Sequence, residues 1–506
     1  MKKTLILLPL VALLLAGCNG DNNDGPLPPP IVVDPNNEQL SGQPEDGDII
    51  KIIHMNDTHG AIEYLPDANE PGMARVAGYV NAKRAEADTD VVLVSSGDMF
   101  QGSLDSNINQ GKLMIDIMKE MRFDSMSIGN HEFDWGPDVL SENAAYAMNL
   151  EEGDWAFPFL SGNILNPEGQ YDFGYLSTTF NRGGARVSII GSIDSGVYSS
   201  IDAAVVEGYS FVNAANMVIA EAERLREAGS DIIIYSTHDV DKRVDSRIAL
   251  YVDAVFTGHN HHNSVATMEG ADSKVVPIIE SSNNGKALGE VDFVYDVDSG
   301  TYQLDLYRNT IPLNVEPVVE DEGVKAIYDS YLDAPVQDGP ISSDSLRALK
   351  TDKIGEITSE SEFADGDEIS KSNVRKMFIF AQLEAYIDEY NVIASSYNAA
   401  RSSWLVGDIT YSDIYKAFPF DNATIVVEAT GAQIKNWNTA MEFADDEVSK
   451  WTLNSTEMYR VVTSSYVINN NEVYNYTSVV HTDENLFQRH VFYQEFVKAT
   501  EPNPWG

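Results

Sequence analysis

Short apolar runs alternate with segments of helical period along the first part of the chain. The runs include DIIKIIH, DVVLVSSGD, RVSIIGSID, DIIIYSTHD and DAVFTGH, and helix-like segments such as MARVAGYVNAKRAEA and AANMVIAEAERLREAG lie between them. Strands that alternate with helices are typical of an α/β domain whose sheet is largely buried. The pattern therefore predicts such a domain over residues 49–315.

The pattern changes after this domain. An acidic helical stretch, EDEGVKAIYDSYLDA, occupies part of residues 316–349 and predicts a connector. Residues 350–506 mix both periods and predict a smaller second domain of mixed α/β structure. We find no internal repeat, so the chain is expected to hold two different domains in tandem.

Residues 1–18 have the pattern of a bacterial lipoprotein signal peptide. Two lysines precede an apolar run that is too short to span a bilayer, and the run ends in LAGC. This ending resembles a lipobox, whose cysteine is lipidated; a plain secretory signal is the alternative. Cys18 is the only cysteine of the chain, which favours lipidation there.

The next segment, residues 19–48, is rich in proline, glycine, asparagine and aspartate and predicts a disordered tether. Together with Cys18 it predicts attachment to a membrane through an N-terminal lipid anchor. We therefore expect the protein in the bacterial cell envelope, at the outer membrane or its periplasmic face, and Asn19 favours the outer membrane.

Composition narrows the possible partners. The chain of 506 residues has 79 acidic and 33 basic side chains, a formal charge of −46, so its surface repels nucleic acid polymers. An apolar content of 43% indicates a globular protein. An anionic substrate would need a locally positive site, which a bound metal ion can supply. With one cysteine, a disulfide within the chain and a cysteine-based metal site are both excluded. The oligomeric state stays open.

The candidate chemistry lies where the apolar runs end. In an open α/β sheet, binding groups gather at the carboxyl ends of the strands. Oxygen and imidazole ligands suit zinc, manganese, iron or cobalt. Taken singly, these motifs are typical of capped strand ends, turns or structural histidines, but the set is not. The candidate ligands are Asp57, His59, Asp98, Asn130, His238, His259 and His261.

These residue types match a two-metal site. Asp98 could bridge two ions about 4 Å apart. The first ion would take Asp57, His59 and His261, and the second would take Asn130, His238 and His259. A water held between the ions would have its pKa lowered towards about 7, and the resulting hydroxide could attack a phosphorus in line with the leaving oxygen.

The same segments resemble a known family. NDTHG, SSGDMFQGS, GNHEFDWG, STHD and TGHNHH are similar to the five blocks of the calcineurin-like metallophosphoesterases. The nearest branch holds secreted 5'-nucleotidases, UDP-sugar hydrolases and 2',3'-cyclic phosphodiesterases. The resemblance implies a four-layer α/β/β/α sandwich and two divalent ions such as zinc, manganese or cobalt. It also implies a dyad in which His131 stabilises charge on the phosphoryl oxygens or leaving group and Asp134 orients it.

The second domain resembles the substrate-binding domain of that family. In GDITYSDIYKAFPFDNATIVVEATG, Phe420 matches one of two aromatic residues that hold the base, and Asn422 matches a hydrogen-bonding residue beside it. Arg401 matches an arginine that lies on the phosphate side of the family's pocket, and Tyr466 matches the second aromatic residue. Glu472 takes the place of a family aspartate. Without the family, the pattern favours a place in the core for Phe420 and Tyr466.

Departures from the family are concentrated in this second domain. Ala399 and Ala400 stand where the family has glycines, and Asn470 and Asn471 replace two more. Further phosphate-side arginines are missing where expected, and Arg375 and Lys376 come a few residues later. The resemblance predicts removal of phosphate from 5'-nucleotides. Cyclic phosphodiesterase or UDP-sugar pyrophosphatase activity, or nucleotide binding with little turnover, are the alternatives.

Overall fold

The structure is a computed structural model, and it describes residues 31–36, 42–150, 155–239, 244–312, 319–397, 400–438, 440–445, 447–469 and 474–498. Cys18 and Glu472 lie outside the described residues. The roles predicted for them stay predictions.

The first domain alternates strands and helices, as its apolar pattern predicts. Its strands are β1 Ile31–Val33, β2 Ile49–Met55, β3 Thr89–Ser95, β4 Ser125–Ser127, β5 Phe159–Leu160, β6 Ile164–Leu165, β7 Ser177–Arg182, β8 Ala185–Ile193, β9 Ser210–Phe211, β10 Ile232–His238, β11 Ala254–Thr257, β12 Asn263–Glu269, β13 Val275–Ser281, β14 Leu288–Asp296 and β15 Thr301–Thr310. Its helices are α1 Met73–Arg84, α2 Leu104–Asn107, α3 Lys112–Glu120, α4 Pro137–Ala147 and α5 Ala215–Glu227. Short 3-10 turns include His131–Phe133 and Val197–Ser200.

These strands form two sheets that pack face to face. One is six-stranded in the order β15-β14-β2-β3-β4-β5, and the other is seven-stranded in the order β1-β7-β8-β10-β11-β13-β12. Successive side chains of a strand point to opposite faces. Accordingly, Ile50 and Ile52 of β2 join the core between the sheets, whereas Ile53 and Met55 pack under helices α1, α3 and α4. Helix α5 covers the other sheet. The predicted four-layer α/β/β/α arrangement is confirmed.

One part of the predicted tether is folded. Ile31–Val33 pair in parallel with Ser177, Thr178 and Thr179 of β7 and extend the seven-stranded sheet. The Asn36 side chain donates to the Ala156 carbonyl and accepts from the Ala156 amide, both at 2.8 Å. The prediction of disorder over residues 19–48 is therefore wrong for residues 31–36. The β-branched run Ile-Val-Val suits a sheet edge better than a tether.

The second domain is smaller and is built around one sheet. Its elements, with the connector before them, are α6 Glu322–Leu332, β16 Val336–Asp338, β17 Ile341–Ser343, α7 Leu346–Thr351, β18 Lys353–Ile357, β19 Glu368–Ile369, α8 Lys371–Tyr390, β20 Ala394–Tyr397, β21 Trp404–Leu405, β22 Gly407–Thr410, α9 Tyr411–Ala417, β23 Ala423–Thr430, α10 Gly431–Asn436, β24 Ala440–Phe443, β25 Met458–Ser464, α11 Ser465–Asn469, β26 Ser478–Phe487 and α12 Gln488–Lys498. The five-stranded sheet has the order β24-β20-β25-β23-β26.

The two domains share apolar and ionic contacts. Leu104 of the first domain packs in one cluster with Leu346, Tyr411 and Tyr415. Beside them, the Lys350 ammonium lies 2.7 Å from Asp105 and also contacts Glu63 and Tyr328. These contacts hold the second domain against the carboxyl ends of the first domain's strands. In the part of the chain that the structure describes, no helix has the length and hydropathy that a bilayer crossing requires.

Candidate metal centre and substrate cleft

All the candidate ligands follow strand ends that meet at one edge. Asp57 and His59 come after β2, Asp98 after β3 and Asn130 after β4, and these three strands are parallel neighbours in one sheet. His238 ends β10, and His259 and His261 follow its parallel neighbour β11 in the other sheet. The site therefore forms where the carboxyl ends of both sheets come together.

The backbone at these strand ends is strained. Asp57, His59, Asp98, His259 and His261 have positive φ angles of 49°, 50°, 54°, 80° and 60°. A left-handed backbone is uncommon for residues other than glycine, and such positions cluster at functional sites. Five ligand candidates thus adopt a conformation that needs the surrounding structure to maintain it.

The first ligand group joins both sheets. Asp57 and His59 of one sheet meet His261 of the other, and the Nε2 atoms of the two histidines are 3.0 Å apart. The Asp57 carboxylate lies 3.4 Å from His261 Nε2 and 3.9 Å from His59 Nε2. Convergence of two imidazole nitrogens and a buried carboxylate oxygen is what a shared cation requires.

The second ligand group lies beside the first. His238 Nε2 is 3.1 Å from both the Asp98 carboxylate and the Asn130 side-chain oxygen. His259 Nδ1 is 2.9 Å from the same Asn130 oxygen. The ligand atoms of Asp98 and His59 also lie within 4.8 Å of each other, close enough to share an ion, so Asp98 borders both groups. These oxygen and imidazole donors are of the kinds that bind divalent metal ions.

Charge in this cluster favours cation binding. Burial opposes ionisation of Asp98, but the His238 and His131 imidazoles outweigh it and hold the pKa of that carboxyl well below its usual range. Burial lowers the pKa of His59 to about 4, against the raising effect of the Asp98 and Asp57 carboxylates. At neutral pH the carboxylate is therefore ionised, and the His59 imidazole is neutral with a lone pair for a metal.

Backbone carbonyls orient two of the imidazoles. His59 Nδ1 is 3.0 Å from the Gln101 carbonyl, and His238 Nδ1 is 2.7 Å from the Ser96 carbonyl. A carbonyl accepts a hydrogen bond only, so each Nδ1 carries a proton and each Nε2 faces the ligand groups. The Nε2 of His59 is unprotonated at neutral pH. Burial lowers the pKa of His238, but the Asp98 carboxylate outweighs it and raises that pKa to about 10, so a cation bound there would take the place of the Nε2 proton.

The predicted dyad lies next to the ligands. His131 Nδ1 is 2.8 Å from the Asp134 carboxylate, and the His131 amide donates to Asp98 at 2.8 Å. Burial lowers the pKa of His131, but the Asp134 and Asp98 carboxylates outweigh it and raise the pKa to about 9. The imidazole ring is therefore positively charged at neutral pH and faces the cleft.

A cavity of about 470 Å³ runs from the ligands to the second domain. On one side it is lined by Asp98, Asn130, His131 and Asp134, and on the other by Arg401, Phe420, Asn422 and Tyr466. The Phe420 ring stacks on the His131 ring, with centroids 5.9 Å apart and planes 22° from parallel. The Arg401 guanidinium lies 4.9 Å from the centre of the Phe420 ring.

Comparisons with known proteins agree with this arrangement. Residues 50–263 match the family of calcineurin-like phosphoesterases, and residues 353–445 match the 5'-nucleotidase C-terminal domain. The chain is a calcineurin-like metallophosphoesterase with a 5'-nucleotidase C-terminal domain.

Two curated relatives and one solved structure extend the match. The protein UshA of Yersinia enterocolitica is 25% identical over 430 residues, which cover 77% of this chain and 75% of the relative. A 5'-nucleotidase of Vibrio cholerae is 24% identical over 433 residues, which cover 77% of this chain and 74% of the relative. The crystal structure of a 5'-nucleotidase precursor from Thermus thermophilus aligns with a TM-score of 0.71 and 19% identity, over 89% of this chain and 96% of that one, and supports the fold.

The structure brings most predicted residues of this metallophosphoesterase together. All seven ligand candidates and the dyad meet at one edge, and four of the five predicted substrate residues line the same cleft. Phe420 and Tyr466 are half-buried and face the cavity, so a place inside a core does not describe them. Among the described residues that line the cavity, neither Arg375 nor Lys376 is found. These two cations therefore do not stand in for the missing arginines at the wall of this cavity.

Glu132 and Tyr397 are among the residues of the site that sequence reasoning missed. The buried Glu132 carboxylate accepts hydrogen bonds from the Gly129, Asp98 and Met99 amides at 2.7, 2.8 and 2.9 Å. It thereby supports the loop that carries Asp98. Tyr397 lines the cavity, and burial raises the pKa of its phenol to about 12. Glu132 lies inside the motif GNHEFDWG, and its position next to His131 could have indicated a role in the site. The sequence around Tyr397 contains no motif that indicates a place in the cleft.

Proposed function

We propose that this chain is a metal-dependent phosphohydrolase that removes phosphate from 5'-nucleotides. The observation that carries the proposal is one continuous cleft, with metal-type ligands and a charged histidine at one end and Arg401, Phe420 and Tyr466 at the other. The Vibrio cholerae relative is named a 5'-nucleotidase, which agrees with that substrate. A phosphate at the ligand end and a base at the aromatic end would fit the two ends of a nucleotide.

We further propose that two divalent ions, such as zinc, manganese or cobalt, occupy the two ligand groups. Bound there, divalent ions supply positive charge for the phosphoryl oxygens and lower the pKa of a water molecule to about 7. The side chains of the dyad would then act on the phosphate. His131 is positively charged and can stabilise negative charge on the phosphoryl or leaving oxygens, and Asp134 holds its Nδ1 proton in place.

The second domain would select the substrate. Phe420 and Tyr466 offer aromatic surface for a base, Asn422 offers hydrogen bonds beside them, and Arg401 offers charge for the phosphate. Arg401 also covers Phe420 at 4.9 Å, so phosphate binding and base binding would be coupled through this pair. Such coupling favours a substrate that carries both groups.

A substrate panel tests the proposal. Purified, metal-loaded protein would be assayed with mononucleotides, cyclic nucleotides, UDP-sugars and a small aryl phosphate. We expect the highest catalytic efficiency with a 5'-mononucleotide. A higher efficiency with cyclic nucleotides or UDP-sugars would replace the proposed substrate by one of those classes. Equal efficiency with the aryl phosphate would contradict the assignment of a nucleotide substrate and leave only the assignment of a phosphohydrolase.

A nucleotide-binding role with little turnover is the second candidate. The position of Arg375 and Lys376 away from the cavity favours it, because fewer cations then hold the phosphate than the family pattern has. Isothermal titration with a nucleotide, compared with turnover of the same nucleotide, separates the two. Micromolar binding with no release of phosphate from metal-loaded protein would favour the binding role.

We also propose that Cys18 carries a lipid and places the enzyme in the bacterial cell envelope. The apolar run before Cys18 and the absence of any other cysteine support this anchor. Cys18→Ala should release a folded, active protein into the soluble fraction. Because one acyl chain binds membranes only marginally, stable anchoring would need more than one chain. A variant that still partitions with membranes as the parent does would contradict the proposal.

A further inference from the structure

Arg489 is a buried cation that neither the metal centre nor the predicted substrate residues account for. It lies at the start of helix α12, and only 1% of the residue is exposed. A guanidinium group cannot lose its charge in a protein, so its burial needs acceptors for its N–H groups. The groups that accept hydrogen bonds from the guanidinium therefore indicate the role of this residue.

The guanidinium joins two parts of the second domain and its connector. Nε and Nη2 donate to the two Asp338 carboxylate oxygens at 3.0 and 2.8 Å. Nη1 donates to the Phe420 carbonyl at 3.1 Å and to the Asp421 carboxylate at 2.5 Å. Asp338 ends β16 of the connector, whereas Phe420 and Asp421 form the turn that lines the cleft. The planar guanidinium group thus links that turn to the Asp338 carboxylate of the connector.

Asp338 is itself held by its neighbours. The Tyr411 hydroxyl donates to it at 2.6 Å, and His490 Nε2 lies 3.1 Å away. The Arg489 guanidinium also lies against the Tyr415 ring, 4.4 Å from its centre. A guanidinium that is held by the Asp338 carboxylate and packed against an aromatic ring has little freedom to follow a moving turn, so it is suited to position that turn.

The turn has little regular structure of its own. It lies between the end of α9 at Ala417 and the start of β23 at Ala423, and Pro419 offers no backbone N–H. The Pro419 carbonyl accepts from the Gln101 and Asn107 side chains of the first domain at 3.3 and 3.1 Å. From within the second domain, Arg489 restrains the turn by donating a hydrogen bond to the Phe420 carbonyl.

We infer that Arg489 is a positioning residue that sets the Phe420 ring for substrate binding without touching the substrate. The inference rests on the proposed function, since it assigns Phe420 to nucleotide binding. It also explains why a charge is buried 69 residues from the turn it holds. A residue that only stabilised the fold would change activity on all substrates together.

The test compares a nucleotide with a small aryl phosphate. Arg489→Lys keeps the charge beside Asp338, but an ammonium group cannot hold four acceptors in one plane. The lost hydrogen bonds should reduce the catalytic efficiency for the nucleotide about 2- to 13-fold, mainly through a higher KM. Efficiency with the aryl phosphate should change much less. Arg460→Lys is the control for the same substitution at a more exposed ion pair of this domain, because Arg460 is paired with Glu428 at 3.0 Å and does not line the cavity.

A double-mutant cycle decides whether Arg489 acts through Phe420. If it does, Arg489→Lys should have no further effect on the nucleotide-to-aryl ratio once Phe420→Ala is present. Additive effects, or equal loss on both substrates, would overturn the inference. If Arg489→Lys does not fold, Asp421→Asn keeps the Arg489–Asp338 pair and tests the same turn; an unchanged ratio there also overturns it. A parent enzyme with no preference for nucleotides would instead overturn the proposed function, and this inference with it.

Discussion

The metal-binding edge of the first domain and the substrate-facing wall of the second are held in different ways. Each ligand candidate at the metal-binding edge lies at or just after the end of a strand in one of two large sheets, and Asp57, His59 and Asp98 there also have positive φ. The substrate wall is carried by a turn at Phe420 and by the five-residue helix α11 with Tyr466. Strand ends in a large sheet have little freedom to move, whereas the position of a turn and its side chains depends on the residues packed around it.

The difference matches where the chain departs from its family. The five ligand motifs match the blocks that carry the resemblance, whereas the glycines and arginines that the resemblance implies and this chain lacks belong to the second domain. We propose that the metal-binding edge carries the chemistry and that the wall of the second domain sets substrate preference. The following changes test that division, from the largest expected effect on catalysis to the smallest.

Asp98→Asn should have the largest effect. Asp98 borders both ligand groups, and loss of a group that only supports a ligand already costs about 10- to 100-fold. We therefore expect a loss of more than about 100-fold on every substrate, and a larger loss of metal than in His261→Ala. Elemental analysis should find about two ions in the parent enzyme. Full activity with one ion or none would contradict the two-metal proposal.

Phe420→Ala should separate the substrates. Stacking of a base on an aromatic side chain is worth about 1–3 kcal/mol, so catalytic efficiency for a nucleotide should fall about 5- to 150-fold more than for an aryl phosphate. Because Phe420 also stacks on His131, some loss on both substrates is expected. Phe363→Ala, a buried core change in the same domain, should lower thermal stability and leave the ratio alone. An unchanged ratio in folded Phe420→Ala would remove its role in base binding.

Glu132→Gln should affect both substrates alike. The amide cannot accept from all three backbone N–H groups that the carboxylate serves, so the Asp98 loop should loosen. We expect a loss of about 10- to 100-fold with either substrate, accompanied by weaker metal binding. Metal titration of the variant checks this. A change confined to nucleotides would mean that the metal-binding edge also sets substrate preference.

Glu290→Gln should change stability and not catalysis. Burial opposes ionisation of Glu290, but hydrogen bonds from Tyr79 and Arg308 outweigh it and lower its pKa. A lowered pKa stabilises the fold above the unfolded value of about 4.3, and that stability is lost as the pH falls. The variant should unfold more easily at pH 7, by about 1–3 kcal/mol, with the difference shrinking below about pH 4. Thermal unfolding at several pH values measures this; an equal difference at all pH values would exclude the ionised carboxylate as its cause.

Apolar periodicity and strand-end residues were enough to predict an α/β domain and its candidate ligands, whereas the four-layer sandwich was implied by the family resemblance. Strand geometry is local, so the runs before Asp57, Asp98 and His238 could be identified without knowing what they pack against. Locality also explains the error at Ile31–Val33, where a proline-rich neighbourhood hid a run that pairs with β7. Pairing with a strand more than 140 residues away depends on a surface that exists only in the folded chain.

Side-chain chemistry and the period of a strand are local properties, so they were sufficient to predict candidate metal ligands and the strand ends that carry them. Folding was needed to reveal that Phe420 stacks on His131, that the Glu132 carboxylate accepts from the Asp98 amide, and that Arg489 donates to the Phe420 carbonyl. These relations join residues whose separation along the chain says nothing about their separation in space. Only the packing of sheets, connector and second domain brings them within hydrogen-bond distance.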